Sequence, residues 1–140
     1  MTQVSILYPV FIQVLLFFVV AVLLLGARRR AMRSMKLEPG QLAMGKAPWP
    51  DEAVKRAANY TSQFELPVLF YAVVAFALIV KAADTIMIGL AWAFVVSRLL
   101  HTAIHVGSNR IRFRTPAFAL GFLCVLLMWV RLALHVSGIF

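Results

Sequence analysis

The sequence predicts an all-α integral membrane protein, a bundle of four crossing helices with both termini on the same side. Three observations carry that prediction. Of 140 residues, 63% are hydrophobic and only 14% are charged, against roughly 25% charged in soluble domains. A chain this short has too little interior to enclose so much apolar surface. Apolar runs fall at about 6–26, 64–82, 86–106 and 117–136, and a helix needs roughly 20 such residues to cross the hydrocarbon core. Finally, the basic residues gather between these runs. A single domain over 1–140 follows, with no internal repeat or low-complexity tract.

Taken in order, the first run carries no charge from Met1 to Ala27. With no basic side chain in Met1–Ser5, it is expected to remain as a span rather than to be a cleaved leader. The connection that follows is punctuated by Pro39-Gly40 and Pro48-Trp49-Pro50. Asp51 and Glu52 then suit the positive end of a helix leading into the second run. That run opens on Glu65 and Pro67, and a proline is tolerated in a first helical turn. The third run contains Arg98, His101 and His105, and the fourth contains Arg131 and the single cysteine, Cys124. One cysteine in an apolar run allows no intramolecular disulfide and no paired-cysteine redox or zinc motif.

The charge balance, 14 Lys+Arg against 5 Asp+Glu, is +9. Its placement argues for topology rather than for nucleic-acid binding. Eight basic residues from Arg28 to Arg56 lie in the first connection, and Arg110, Arg112 and Arg114 lie between Gly107 and Pro116. The positive-inside rule puts both loops in the cytoplasm and both termini outside. A bacterial inner membrane is the expected setting.

Polar residues inside apolar spans are costly and persist where they face a bundle interior or a wet cavity. At 100° per residue, His101, His105, Asn109 and Arg112 fall about 300°, 340°, 20° and 320° from Arg98 if the helix continues past Gly107. One polar stripe then runs toward the basic end, either fastening helices or lining a ligand site. The His101-x-x-x-His105 pair could offer two nitrogens to a metal, but no third ligand lies at that depth, so no metal site is expected. Arg131 can snorkel outward, with Asp84 as a candidate partner. Glu65 is placed to pair with Arg98 or a loop arginine. Arg28 to Arg30 fit a headgroup anchor, with a ligand role as the alternative.

Two segments carry more than a span requires. The first is Asn59-Tyr-Thr-Ser-Gln-Phe-Glu65-Leu-Pro67-Val-Leu-Phe70-Tyr71. The second, more specific, is Arg98-Leu-Leu-His101-Thr-Ala-Ile-His105 with Arg110, Arg112 and Arg114 downstream. Together they resemble the MAPEG family, the membrane-associated proteins of eicosanoid and glutathione metabolism. The second is similar to the Arg-x-x-His-x-x-x-Tyr segment of the prostaglandin E synthase branch. There a further arginine, sixteen positions on and followed by serine, lies beside the glutathione thiol. Arg114 stands sixteen residues after Arg98 here, with Thr115 next. The chain departs from the family in four places: Lys55 stands four before Asn59, Ser62 occupies the place of an acidic residue three after it, Glu65 is only two before Pro67, and His105 replaces the tyrosine. It resembles an outlying bacterial-type branch.

The resemblance implies a homotrimer and glutathione as co-substrate. Arg114 would be the catalytic cation, with Arg112 as rival, and Arg98, His101, His105, Asn59, Glu65, Arg110 and Arg112 would be ligand contacts. A cation beside sulfur favours thiolate, the attacking species, and arginine forks suit carboxylates. The expected function is a glutathione-dependent membrane transferase or peroxidase acting on a lipophilic electrophile from the bilayer. The alternative is a non-catalytic lipid-binding or partner-presenting membrane protein.

Overall fold

A computed structural model of the chain describes residues 3–108 and 110–139, and among them regular structure is entirely helical. A short turn at Gln3–Ile6 leads into α1 (Leu7–Met35). At 1.5 Å per residue this helix is about 44 Å long. It therefore outruns the roughly 30 Å hydrocarbon core and carries Arg28 to Arg33 beyond it. Its buried residues, Pro9, Gln13, Leu16, Val20, Leu24, Ala27 and Ala31, recur every three or four positions. That spacing draws one narrow seam along an otherwise lipid-ready surface. Lys36 ends the helix in the left-handed conformation, at φ 44°.

The basic connection is structured. Pro39 starts a one-turn helix, α2 (Pro39–Ala43), and α3 (Asp51–Ser62) follows with Asp51 and Glu52 in its first turn. Glu52 accepts from Arg30 at 2.9 Å and from Arg56 at 3.2 Å, tying α3 to α1. The Arg28 guanidinium lies 5.2 Å from the Trp49 ring centre.

The crossing that the sequence places at 64–82 is assembled from two helices. After α3 the chain breaks over Gln63–Glu65 and resumes as α4 (Leu66–Ile79), with Pro67 in its first turn. Fourteen residues reach only about 21 Å, so α4 needs α3 to complete the crossing. A turn through Lys81, at φ 59°, reaches Asp84, whose Oδ1 accepts from Met87 N at 2.9 Å and caps α5 (Thr85–Val106).

Helix α5 ends at Val106, with Gly107 outside helical geometry. The continuous stripe expected past Gly107 is therefore not formed. Asn109 lies outside the described residues, and Arg112 belongs to α6 (Ile111–Val136). This last helix starts six residues before the predicted span and carries Pro116 inside it, which leaves the Arg112 carbonyl without its usual intrahelical donor. Gly121 lets α5 and α6 approach closely, because a Cβ there would stand 2.6 Å from Ser97 Oγ.

Packing places both ends of the chain together. Gln3 Nε2 donates to the Lys81 carbonyl at 2.9 Å, and Arg131 near the end of α6 pairs with Asp84 in the same turn. The termini thus share one side, and the Arg30–Glu52 cluster lies at the other. The Arg131 guanidinium holds the Asp84 carboxyl below the usual carboxylate range, helped by the Met87 N–H. The core centres on α4 and α5, where Phe70 stacks on Phe94 with ring centres 4.4 Å apart. Val73, Val74, Met87 and Val95 pack there with Met128 from α6. Large side chains such as Phe11, Phe18, Ile79 and Phe122 remain outward-facing. So much apolar exterior suits lipid or a neighbouring subunit, not water.

Candidate functional site

Four helical crossings, one of them α3 and α4 together, are long and apolar enough to span a membrane, and they enclose a layer of polar side chains toward the basic end. Arg98 sits at its centre with no solvent exposure. Its Nη2 donates to Ser62 Oγ at 3.0 Å and lies 3.5 Å from the Ser62 carbonyl. The break after α3 therefore serves a purpose: once helical pairing stops at Ser62, its carbonyl and hydroxyl can meet a buried guanidinium. Arg98 Nε and Nη1 have no partner among the described residues. An unmatched buried charge is expensive, so these groups call for water, a ligand or a second subunit.

One turn further along α5, Thr102 Oγ1 donates to Asn59 Oδ1 at 3.4 Å, while Asn59 Nδ2 is left unpaired. His101 and His105 follow on the same face, each 6% exposed, with ring centres 5.8 Å apart. The His101 ring lies against the main chain of Arg114, and the His105 ring against that of Lys55. The Nδ1 of each ring has no partner.

The two rings line one cavity of about 290 Å³, walled by Ala58 and Ser62 of α3, Glu65 of the break, His101 and His105 of α5, and Arg114, Thr115 and Phe118 of α6. Its chemistry is mixed: a guanidinium, a carboxylate, two imidazoles and two hydroxyls face one volume. A small zwitterionic or anionic ligand that also brings hydrogen-bond donors matches that set. Among the described residues no group of three or more metal-ligating side chains comes together.

The MAPEG family model matches residues 6–134. The chain belongs to the MAPEG family. No curated protein and no solved structure matches this MAPEG chain. The structure brings together four of the residues selected from the sequence, Arg114, His101, His105 and Glu65, around the cavity. Arg98 and Asn59 lie buried behind the wall. Arg110 and Arg112 are exposed and line no part of it. Glu65 makes no ion pair with Arg98, whose place beside it is taken by Ser62. Arg28 and Arg30 are engaged with Trp49 and Glu52, away from the cavity.

Sequence reasoning did not select Ser62 and Thr102 as site residues. Both lie a turn from selected residues, Ser62 three after Asn59 and Thr102 four after Arg98, and that spacing was the available signal. Gln13 was missed as well. Fully buried in α1, it donates to Gln63 Oε1 at 3.1 Å and pins α1 to the break. On the other side of that break Gln63 and Phe64 line an apolar groove of about 370 Å³ with Phe17, Phe18, Val68 and Tyr71.

Proposed function

We propose that this MAPEG protein is a glutathione-dependent transferase or peroxidase acting on a lipophilic electrophile supplied from the bilayer. The observation that supports this most is the convergence of Arg114 with Glu65, His101 and His105 on one membrane-embedded cavity. Glutathione is a zwitterion with two carboxylates, an ammonium and a thiol. The cavity offers a cation for the sulfur or a carboxylate, a carboxylate for the ammonium, and imidazole acceptors for N–H or S–H. Of the two rival arginines, only Arg114 faces this volume, so it is the residue assigned to thiolate stabilisation, which raises the fraction of attacking sulfur at neutral pH. Arg98 acts from behind the wall, as does Asn59, with a role in holding the α3–α4 break in place. The basic loops are assigned to the cytoplasm, which puts the cavity near the soluble thiol pool. Assembly is assigned as a homotrimer, which would cover part of the outward apolar surface.

The apolar groove beside Phe64 supports a second reading, a lipid-binding protein without chemistry of its own. Purified protein in lipid nanodiscs, given glutathione and a lipophilic electrophile, separates the two. Thioether product that disappears in Arg114→Leu supports the enzyme. Lipid binding without product in any condition supports the alternative.

A further inference from the structure

The two imidazoles in the cavity have a defined hydrogen-bonding state. Arg114 N is already committed to the Arg110 carbonyl at 3.1 Å, and Lys55 N lies inside α3, where helical pairing uses it. The main-chain group that each ring meets is therefore a carbonyl, which needs an N–H from the ring. Since Nδ1 is the unpartnered atom in both, the proton sits on Nε2, and each Nδ1 carries a free lone pair. A neutral imidazole with a free lone pair is open to accept a proton. Both rings are nine-tenths buried and line the cavity.

Their surroundings differ. Arg98 is the strongest charge acting on His101, whereas Arg114 is the strongest acting on His105, followed by Lys55 and Arg98. Glu65 faces both rings across the same volume. Arg114 is thus the cation that bears most on His105, as Arg98 is on His101.

We infer that His105 Nδ1 takes the proton of the bound thiol, making His105 a catalytic base in addition to the Arg114 cation. The inference rests on the thiol-dependent function proposed above. In the step, the S–H bond breaks and its electron pair stays on sulfur, while an N–H bond forms at Nδ1. Thiol plus imidazole becomes thiolate plus imidazolium, with no change in total charge. When sulfur attacks the electrophilic carbon, the S–C bond forms, and the imidazolium returns its proton to the atom of the electrophile that receives the displaced electron pair. Arginine alone cannot do this, because it stabilises the thiolate but keeps its own protons.

Counting protons tests the inference. The full chain in nanodiscs is mixed with glutathione at neutral pH. Thiolate is followed by its ultraviolet absorbance, and protons released to solvent are followed by calorimetry in two buffers of different ionisation enthalpy. The expected result is a thiolate band with much less than a full proton released per thiolate. In His105→Gln the band should be lost, or persist only with a full proton released, while S-methylglutathione binds as in the parent. His101→Gln should leave the proton count unchanged. A full proton released per thiolate in the parent overturns the inference, as does an unchanged band and count in His105→Gln. If His105→Gln fails to fold, an unchanged count in His101→Gln still supports His105, and a full proton released in His101→Gln overturns it. Absence of binding by both glutathione and S-methylglutathione removes the thiol-dependent function itself, and the base with it. Binding of both with no thiolate band in the parent overturns the base alone.

Discussion

Replacing Gly121 by alanine probes the contact that positions Arg114 against the histidines. A Cβ at this position would stand 2.6 Å from Ser97 Oγ, 3.6 Å from Phe94 Cδ2 and 3.7 Å from Leu66 Cδ2. The last two are ordinary contacts, so the conflict is with one hydroxyl. That hydroxyl has little room to move, because it is fully buried and donates to the Phe94 carbonyl at 2.6 Å. Either the helices part or the hydrogen bond is lost. Overpacking costs about 1–3 kcal/mol, and a lost buried hydrogen bond about 1 kcal/mol, so Gly121→Ala should destabilise by about 1–3 kcal/mol. Ser97→Ala alone should cost about 1 kcal/mol. The double variant should be more stable than the sum of the singles by about 1–2 kcal/mol, because the clashing atom is gone. Reversible denaturant titration in mixed micelles, followed by tryptophan fluorescence, measures all three. Arg114 lies seven residues before Gly121, so parting α5 from α6 should also weaken glutathione binding, with recovery in the double variant. A neutral Gly121→Ala, or strictly additive effects, would show that the two helices do not meet here.

Three further outcomes are expected. Arg114→Leu should weaken glutathione binding by about 1.5–3 kcal/mol if a charge-assisted contact is lost, while Arg112→Leu, on an exposed side chain, should leave isothermal titration unchanged; the reverse pattern moves the site to Arg112. Asp84 is held below its ordinary pKa by Arg131, so its contribution is present above about pH 4 and is lost as pH falls through the lowered folded value. Parent micelle stability should therefore fall, as pH drops below about 5, by up to about 1 kcal/mol more than that of Asp84→Asn, the ceiling set by solvent screening of a part-exposed pair; parallel curves would remove the pairing. Reporter fusions should show Gly40 cytoplasmic and the C-terminus outside; a periplasm-active reporter at Gly40 would invert the assigned orientation.

Much of the fold was readable because a membrane span writes its length directly into composition. Four apolar runs and two basic connections suffice to define crossings and to put the termini on one side. Helix ends within a crossing leave no such mark. Glu65 and Pro67 announced a start near the break, yet the sequence did not reveal that α3 supplies the missing length. Nor did it show that α6 begins at Ile111, since Arg112 and Arg114 read as loop charge until the backbone placed them on a helix. For the site, helical period brought Arg98, His101 and His105 to one face correctly. Spacing and resemblance already favoured Arg114 over Arg112, whereas the fact that only Arg114 of the two lines the cavity depends on how α6 packs, a tertiary property with no local signature. Ser62 and Thr102 were hidden for a related reason: small hydroxyls declare themselves only when a buried guanidinium or amide is found beside them.

The most direct measurement is the ultraviolet difference spectrum of glutathione added to the purified protein at neutral pH, with S-methylglutathione as the control that has no ionisable sulfur. A thiolate band that saturates with glutathione, is absent with the S-methyl compound and is lost in Arg114→Leu is the predicted result. No band in the parent, or a parent band undiminished in Arg114→Leu, would contradict a thiolate held by Arg114 in this cavity.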